Sequence, residues 1–136
     1  SGTIYVLRSE SDHPLVAQHR NIVHKIGVTN MAVEKRIAGA HLQPTFLMAN
    51  VEIVAQYTLY NINRTKLEKL IHRVFGAALL DIEIPDRFGT LIKPREWFLV
   101  PLDVINEAVE RIRDQSIADY RYDPQQARLV RSTSTP

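Results

Sequence analysis

The sequence has 136 residues, and its 17 lysines and arginines exceed its 15 aspartates and glutamates, which gives a formal net charge of +2. Hydrophobic residues make up 45% of it and charged residues 24%, a composition that permits a real core and excludes a wholly disordered chain. It contains no cysteine, which excludes disulfides, thiolate zinc sites, iron–sulfur clusters and a cysteine nucleophile.

No apolar run approaches the roughly 18 to 20 residues that a membrane span requires. We therefore expect a soluble, intracellular protein of the cytoplasm with no membrane partner. The opening Ser1-Gly2 is typical of residues left by cloning, and the chain is expected to be a piece of a longer protein.

The first half of the chain alternates predicted strands with one helix. β-branched and aromatic residues at Thr3–Leu7 and Ile22–Val28 predict two strands of a hairpin with a long loop. Apolar residues at i, i+4 and i+7 from Val33 to Ala40 predict a helix that ends before Pro44. Residues 51–60 are apolar and β-rich, which predicts a third strand moderately buried on both faces.

The clearest helical pattern begins at Asn63. An apolar stripe recurs over residues 67–75, and Gly76 follows it as a C-cap. Residues 79–84 and 91–100 flank a turn that contains proline and glycine, so they predict a second hairpin.

A last amphipathic helix is predicted from Pro101. After about Ile117 the periodicity disappears, so residues 118–136 are predicted to be a flexible C-terminal tail behind a domain at 1–117. Strands and helices that segregate in this way predict the α+β class, with a small antiparallel or mixed sheet flanked by helices.

One edge of the second helix carries a set of side chains that suits metal or phosphate chemistry. Glu68 has Arg64 one turn before it and His72 one turn after it. A carboxylate, a guanidinium and an imidazole together can hold a divalent ion, orient a water or neutralise a phosphate. Thr65 and Glu68 also fit a capping box, and spacing alone favours that interpretation. His72 fits a structural role at the helix edge equally well.

Basic residues concentrate in two stretches, 20–36 and 61–75, each with four lysines or arginines against one glutamate. Such a surface suits a phosphodiester backbone, although a charged helix face is more commonly just solvated. Within the first stretch, Arg36 lies on the border of the apolar stripe, from which it can reach sideways or pair with Glu34. The histidines lack zinc-ligand spacing, so no zinc site is expected.

Four short motifs stand in order along the chain: Thr3-Ile4-Tyr5, Lys25-Ile26-Gly27, Arg36 in the first predicted helix and Glu68 in the second. Together they resemble the GIY-YIG nuclease superfamily, over roughly Gly2 to Arg111. The bacterial and phage branch that reads Lys-Ile-Gly at the second motif is the most similar. Residues 68–72 match the helix of that branch, and residues 96–98 match its Glu-Trp-Phe strand.

This resemblance implies hydrolysis of phosphodiester bonds in duplex or branched DNA, with one magnesium or manganese ion per site. It implies that Tyr5 is a general base or positions a water, that Arg36 holds the scissile phosphate, and that Glu68 is the metal ligand. Gly27 would allow close backbone packing. Lys25 replaces the second tyrosine of the motif, and it would lower the pKa of Tyr5 or contact the phosphate. Alternatively, Lys25 is an edge-strand lysine that blocks aggregation.

Three functions follow. The first is a metal-dependent endonuclease that uses Tyr5, Lys25, Arg36 and Glu68, with His72 in support. The second is a nuclease-like module that binds nucleic acid without cutting it. Beside Arg36, nucleic-acid contacts are predicted for Lys35, Arg64, Lys66 and Lys69.

The third function is a protein-interaction domain of a larger chain, in which Trp97, Phe98 and the tail contact a neighbour. Adjacent strand residues face opposite sides, so at least one of these two aromatic residues is expected in the core. Glu96 fits either a place near the metal or a structural pair with Arg95 or Arg36, and the structural role is preferred.

Overall fold

The computed structural model of the protein describes residues 2–132. The strands in this range are β1 (Gly2–Ser9), β2 (Val23–Thr29), β3 (Val51–Leu59), β4 (Ile84–Pro85), β5 (Leu91–Ile92), β6 (Trp97–Leu99), β7 (Tyr120–Asp123) and β8 (Arg128–Arg131). The α-helices are α1 (Pro14–Ala17), α2 (Val33–Arg36), α3 (Arg64–Phe75) and α4 (Leu102–Arg113). Across these described residues, every helix falls short of the length and hydropathy that crossing a bilayer demands.

The main sheet has the strand order β3-β1-β2-β6, and all of its neighbours are antiparallel. β1 and β2 form the predicted hairpin, with Tyr5 opposite Gly27. β6 pairs with Val23–Lys25 of β2, and the amide of Ile26 donates to the carbonyl of Glu96 at 3.0 Å. On its other side β6 forms a bridge between Phe98 and Leu79. Helices flank this sheet, which confirms the α+β class.

The two faces of the sheet carry two separate hydrophobic clusters, because successive strand residues point to opposite sides. Ile4 and Val6 belong to the cluster that includes α3 and α4, whereas Tyr5 and Leu7 belong to the other. Phe98 lies in the first cluster and Trp97 in the second, and both are fully buried. Neither aromatic residue can contact a neighbouring protein, so that part of the protein-interaction hypothesis is wrong.

α2 is shorter than its periodicity predicts. It ends at Arg36, and Gly39 takes a left-handed backbone with φ of 71° that breaks the helix before a 3-10 turn at Ala40–Leu42. A second 3-10 turn begins at Pro44. The chain therefore folds back at residues 37–46, and this loop packs Phe46 beneath the main sheet with no exposed surface.

The predicted second hairpin exists only as the short β4–β5 pair, Ile84 against Ile92 and Pro85 against Leu91. β6, which was predicted to continue that hairpin, joins the main sheet instead. The side chain of Asp86 accepts hydrogen bonds from two amides of its own turn and so fixes a tight loop. Each strand of this hairpin is only two residues long, so the chain leaves the hairpin at Lys93.

The prediction of a flexible tail is wrong for residues 118–132. Residues Ser116–Asp119 form a 3-10 turn, and β7 and β8 form a hairpin whose Tyr122 and Leu129 are buried in the core. The guanidinium of Arg73 on α3 donates to the carbonyls of Tyr120 and Ile117 at 3.2 and 3.0 Å, which ties the hairpin to the domain. Two four-residue strands are too short to give a readable periodicity. Residues 133–136 of the predicted tail lie outside the described residues.

One buried histidine makes the fold sensitive to acid. His24 has no exposed surface, its Nδ1 lies 2.7 Å from the carbonyl of Val100, and its Nε2 lies 3.4 Å from the guanidinium of Arg8. A carbonyl only accepts and a guanidinium only donates, so Nδ1 carries the proton and the ring is neutral. Burial lowers the pKa of His24, and the charge of Arg8 lowers it further.

The protein is therefore expected to lose stability as the pH falls below about 6.5, the pKa of an unfolded-chain histidine. In that range His24 becomes protonated in the unfolded chain but stays neutral in the folded protein. The free energy of unfolding therefore falls by up to about 1.4 kcal/mol per pH unit. Urea unfolding at pH 7.5, 6.5, 5.5 and 5.0 measures this slope. His24→Gln should be less stable at pH 7.5 but should show a flatter slope, whereas the exposed control His41→Gln should behave like the wild type. An unchanged slope in His24→Gln would contradict the assignment.

Candidate functional site

Three residues, Glu68, His72 and Glu96, line one small cleft at the edge of the main sheet where β6 begins. Tyr5 and Lys25 lie on one face of the sheet, and α3 packs on the other. Glu96, the residue before β6, pairs with Lys25 and also lines a cleft that it shares with Glu68 and His72 of α3. Side chains from both faces therefore reach the same open edge.

Helix α3 begins one residue after Asn63, so Glu68 does not have the capping role that its spacing favours. The N-cap is Asn63, whose side-chain oxygen accepts a hydrogen bond from the amide of Lys66 at 3.0 Å. Thr65 is already the second residue of the helix and Glu68 the fifth, so Glu68 lies beyond the position of a capping-box glutamate. The capping-box interpretation is wrong, and the carboxylate of Glu68 is left for the cleft.

Two side chains on the same helix edge accompany Glu68. Arg64 lies one turn before it, and its Nε is 3.2 Å from Oε1 of Glu68, both side chains being well exposed. The ring of His72 packs edge-on against Phe98, with centroids 5.6 Å apart. An exposed ion pair of this kind contributes little to stability, so Arg64 and Glu68 can separate to contact a ligand at small cost.

Lys25 is buried, with only 1% of its side chain exposed. Its Nζ lies 2.7 Å from Oε2 of Glu96, donates to Oγ1 of Thr45 at 3.3 Å and lies 5.4 Å from the ring centroid of Phe46. Burial lowers the pKa of Lys25, and the charge and hydrogen bond of Glu96 oppose this shift. The edge-strand interpretation of Lys25 is therefore wrong. The predicted partners of Glu96, Arg95 and Arg36, are likewise replaced by Lys25.

Tyr5 lies buried above Gly27, the residue opposite it on β2. A Cβ at position 27 would overlap the Cζ and Oη atoms of the Tyr5 ring, so the predicted close packing at Gly27 has a specific cause. Burial raises the pKa of Tyr5 to about 12, while the charges of Arg36 and Arg64 lower it and those of Glu96 and Glu68 raise it.

This raised pKa favours one of the two roles expected for Tyr5. Lys25 does not lower it, because the lysine is committed to Glu96 and burial outweighs the nearby charges. A neutral phenol is also a poor general base near neutral pH. The same phenol can donate a hydrogen bond to a water or a phosphate oxygen, which is the other role that the resemblance implied.

Arg36 is half-buried at the end of α2, and its guanidinium carbon lies 5.0 Å from the ring centroid of Phe46. Phe46 therefore supports Lys25 and Arg36 together through cation–π contacts. Among residues 2–132, Arg36 forms no ion pair. A fixed guanidinium without a carboxylate partner suits an incoming anion.

The predicted basic surface is only partly assembled at this site. Lys35 is exposed beside Arg36, and Arg64 pairs with Glu68. Lys66 lies about 160° around α3 from Glu68 and lines a different groove with Asn63, and Lys69 is exposed on the side away from the core. The structure therefore does not bring Lys66 and Lys69 to the cleft.

Glu96 is the site residue whose pairing with Lys25 the sequence did not reveal. The pairing with Lys25 depends on the register of β2 against β6, 71 residues apart along the chain. The signal in the sequence is that Glu96 directly precedes the aromatic pair Trp97 and Phe98. When these two residues pair with β2, Glu96 comes next to Lys25.

Comparison with known proteins corrects the family. The family model of the T5orf172 domain matches residues 2–113, so the assignment to the GIY-YIG superfamily, which rested on short motifs, is wrong. The uncharacterized protein YeeC of Bacillus subtilis (strain 168) is 39% identical over 112 residues, 82% of this chain and 29% of that protein. The chain thus spans less than a third of this relative. No solved structure matches. Because the matched segment runs from β1 to the end of α4, the chain belongs to the T5orf172 domain family.

Proposed function

We propose that this domain is an endonuclease module that hydrolyses phosphodiester bonds of DNA, duplex or branched, with one divalent metal ion. The observation that carries this proposal is the convergence of Glu68, His72, Glu96 and the Lys25–Glu96 pair on one cleft, with Arg36 and Tyr5 close enough to act electrostatically on the same groups. The T5orf172 domain is a nuclease-like, DNA-binding domain family, which supports a nuclease-like module, whereas the metal dependence rests on the residues of the cleft.

The residues at the cleft fit a hard cation that keeps much of its water. Among residues 2–132, no three histidine, aspartate or glutamate side chains form a cluster that could enclose a metal. Magnesium and manganese are instead commonly held by one or two carboxylates plus waters and phosphate oxygens. Glu68 would be the protein ligand, and Glu96 lines the same cleft. Such an ion supplies positive charge against the phosphate and makes a water more acidic.

The other side chains of the site then bind the phosphate, position the water and move its proton. Arg36 binds the scissile phosphate and stabilises the charge that develops on its oxygens. Tyr5, held neutral, donates a hydrogen bond that positions the attacking water or a phosphate oxygen. Lys25 holds the carboxylate of Glu96 at the mouth of the cleft. His72, on the same helix edge as Glu68, accepts the proton of the attacking water. The P–O bond to the leaving strand breaks, and the leaving oxygen takes a proton from solvent.

The test is nicking of supercoiled plasmid by the wild type in magnesium or manganese, with EDTA as the negative control. Glu68→Gln and Arg36→Ala are each expected to lose nicking while remaining folded by circular dichroism. Glu107→Gln is the matched control, because Glu107 is also a helical glutamate in an i,i+4 ion pair, with Arg111, but lies on α4. Nicking by the wild type in EDTA, or an unchanged rate in Glu68→Gln, would refute the role of Glu68.

A second candidate function is nucleic-acid binding without cleavage. It is favoured by the ion pair between Arg64 and Glu68, because this pair occupies one carboxylate oxygen of Glu68, the proposed metal ligand. This function predicts binding that weakens with salt, with no nicking of duplex, branched or single-stranded DNA in either metal.

A further inference from the structure

A second groove lies between the loop that follows α2 and the turn that joins β4 to β5. Leu42 and Pro44 form one wall, and Arg87 and Phe88 form the other, around a volume of about 430 Å³. The groove has no role in the proposed chemistry, and its walls combine apolar, aromatic and cationic surface.

Phe88 is held in the open by a rigid turn. Its side chain is 79% exposed. Its amide and that of Thr90 donate to Oδ1 of Asp86 at 2.8 and 2.9 Å, and Gly89 supplies the left-handed residue that closes the turn, with φ of 84°. The guanidinium carbon of Arg87 lies 5.1 Å from the Phe88 ring centroid. The backbone of the turn is therefore fixed, and the exposure of the Phe88 ring is not explained by packing within the domain.

The groove is close to Arg36 along the chain. Gln43 and Pro44 line it, and the next two residues, Thr45 and Phe46, hold Lys25 and Arg36. Gly39 at the groove is three residues after Arg36, so their Cα atoms are at most about 11 Å apart. This distance corresponds to about three nucleotides of a stacked strand.

We propose that this groove binds an unpaired nucleobase of the DNA strand whose phosphate lies at Arg36, with the base stacked on Phe88. Exposed aromatic rings beside cationic side chains are the usual platform for bases outside a duplex. Lys35, Arg36 and Arg87 outnumber Glu34 and Asp86 along the path from Arg36 to the groove, so this path carries a net positive charge. Oδ1 of Asp86 accepts hydrogen bonds from its own turn. The inference rests on the proposed function and narrows its substrate to DNA with an unpaired nucleotide near the cut.

The test compares binding of a perfect duplex and of the same duplex with one unpaired nucleotide, by fluorescence anisotropy in EDTA at fixed salt. The wild type should prefer the second DNA, and Phe88→Ala should weaken binding to it about tenfold or more. Phe88→Trp should keep the preference and Phe88→Leu should lose it, because leucine is apolar but has no aromatic face. Tyr60→Ala is the matched control, since Tyr60 is also an aromatic residue, 75% exposed, beside a different groove.

Three results would overturn the inference while leaving the proposed function intact: equal affinity of the wild type for both DNAs, full affinity in Phe88→Leu, or a Phe88→Ala variant that changes only from dimer to monomer in size-exclusion chromatography. The last would assign the groove to a second copy of the chain. A wild type that binds no oligonucleotide and nicks no plasmid would overturn both proposals.

Discussion

Replacing Glu96 with alanine is expected to destabilise the protein far more than replacing its partner Lys25 with methionine. The pair is asymmetric, because 34% of the Glu96 side chain is exposed but only 1% of that of Lys25. Removal of Glu96 leaves a buried cation without its carboxylate, which costs about 3–5 kcal/mol. Lys25→Met leaves a carboxylate that water can reach and keeps an unbranched side chain against Phe46, so it should cost at most about 1 kcal/mol.

Urea unfolding of the two single variants and of the double variant completes the cycle. Lys25→Met in the Glu96→Ala background should recover most of the lost stability, because no buried charge remains. The exposed pair of Lys93 and Asp81 is the control, and Asp81→Ala should change the free energy of unfolding by less than about 0.5 kcal/mol. Equal costs for Glu96→Ala and Lys25→Met would contradict the asymmetry.

The stability of Glu96→Ala is expected to depend on pH differently from that of the double variant. Burial lowers the pKa of Lys25, and loss of Glu96 removes the group that opposes this shift. Over the pH range just below 10.5, the ordinary pKa of lysine, the unfolded chain then binds more protons than the folded one, so the stability of Glu96→Ala should rise with pH by up to about 1.4 kcal/mol per unit. Lys25→Met/Glu96→Ala should show no such rise, because the titrating group is gone.

The parts of the fold that local patterns encode could be predicted. The β-branched runs at the N-terminus gave the β1–β2 hairpin, and the apolar stripe of α3 placed Arg64, Glu68 and His72 on one edge, where the structure has them. Both signals depend only on residues a few positions apart.

The features that the sequence could not predict depend on contacts between segments that are far apart along the chain. Asn63 and Thr65 are both good N-caps, and only the path of the chain from β3 into α3 selects Asn63. The pairing of Lys25 with Glu96 requires the β2–β6 register, which no local pattern contains. The short motifs suggested a superfamily, but a match over residues 2–113 was needed to show the T5orf172 family.

Gly27→Ala is expected to damage both stability and the proposed cleavage. A Cβ at this position would overlap the ring of Tyr5, which is buried and must therefore shift together with its neighbours. Overpacking of this kind costs about 1–3 kcal/mol. Displacement of the Tyr5 hydroxyl by about 1 Å should also lower the nicking rate about a hundredfold, because positioned groups tolerate little movement.

Gly76→Ala is the matched control, and it should have the opposite sign. Gly76 has a φ of −58° at the end of α3, and nothing lies within 4 Å of a Cβ built there. Alanine restricts the unfolded chain without strain in the folded one, so this variant should gain about 0.4–1 kcal/mol. If the Tyr5 ring is the cause, Gly27→Ala should cost much less in a Tyr5→Leu background, since the overlapping ring atoms are absent. An unchanged cost in that background would place the clash on the backbone of β1 instead of on Tyr5.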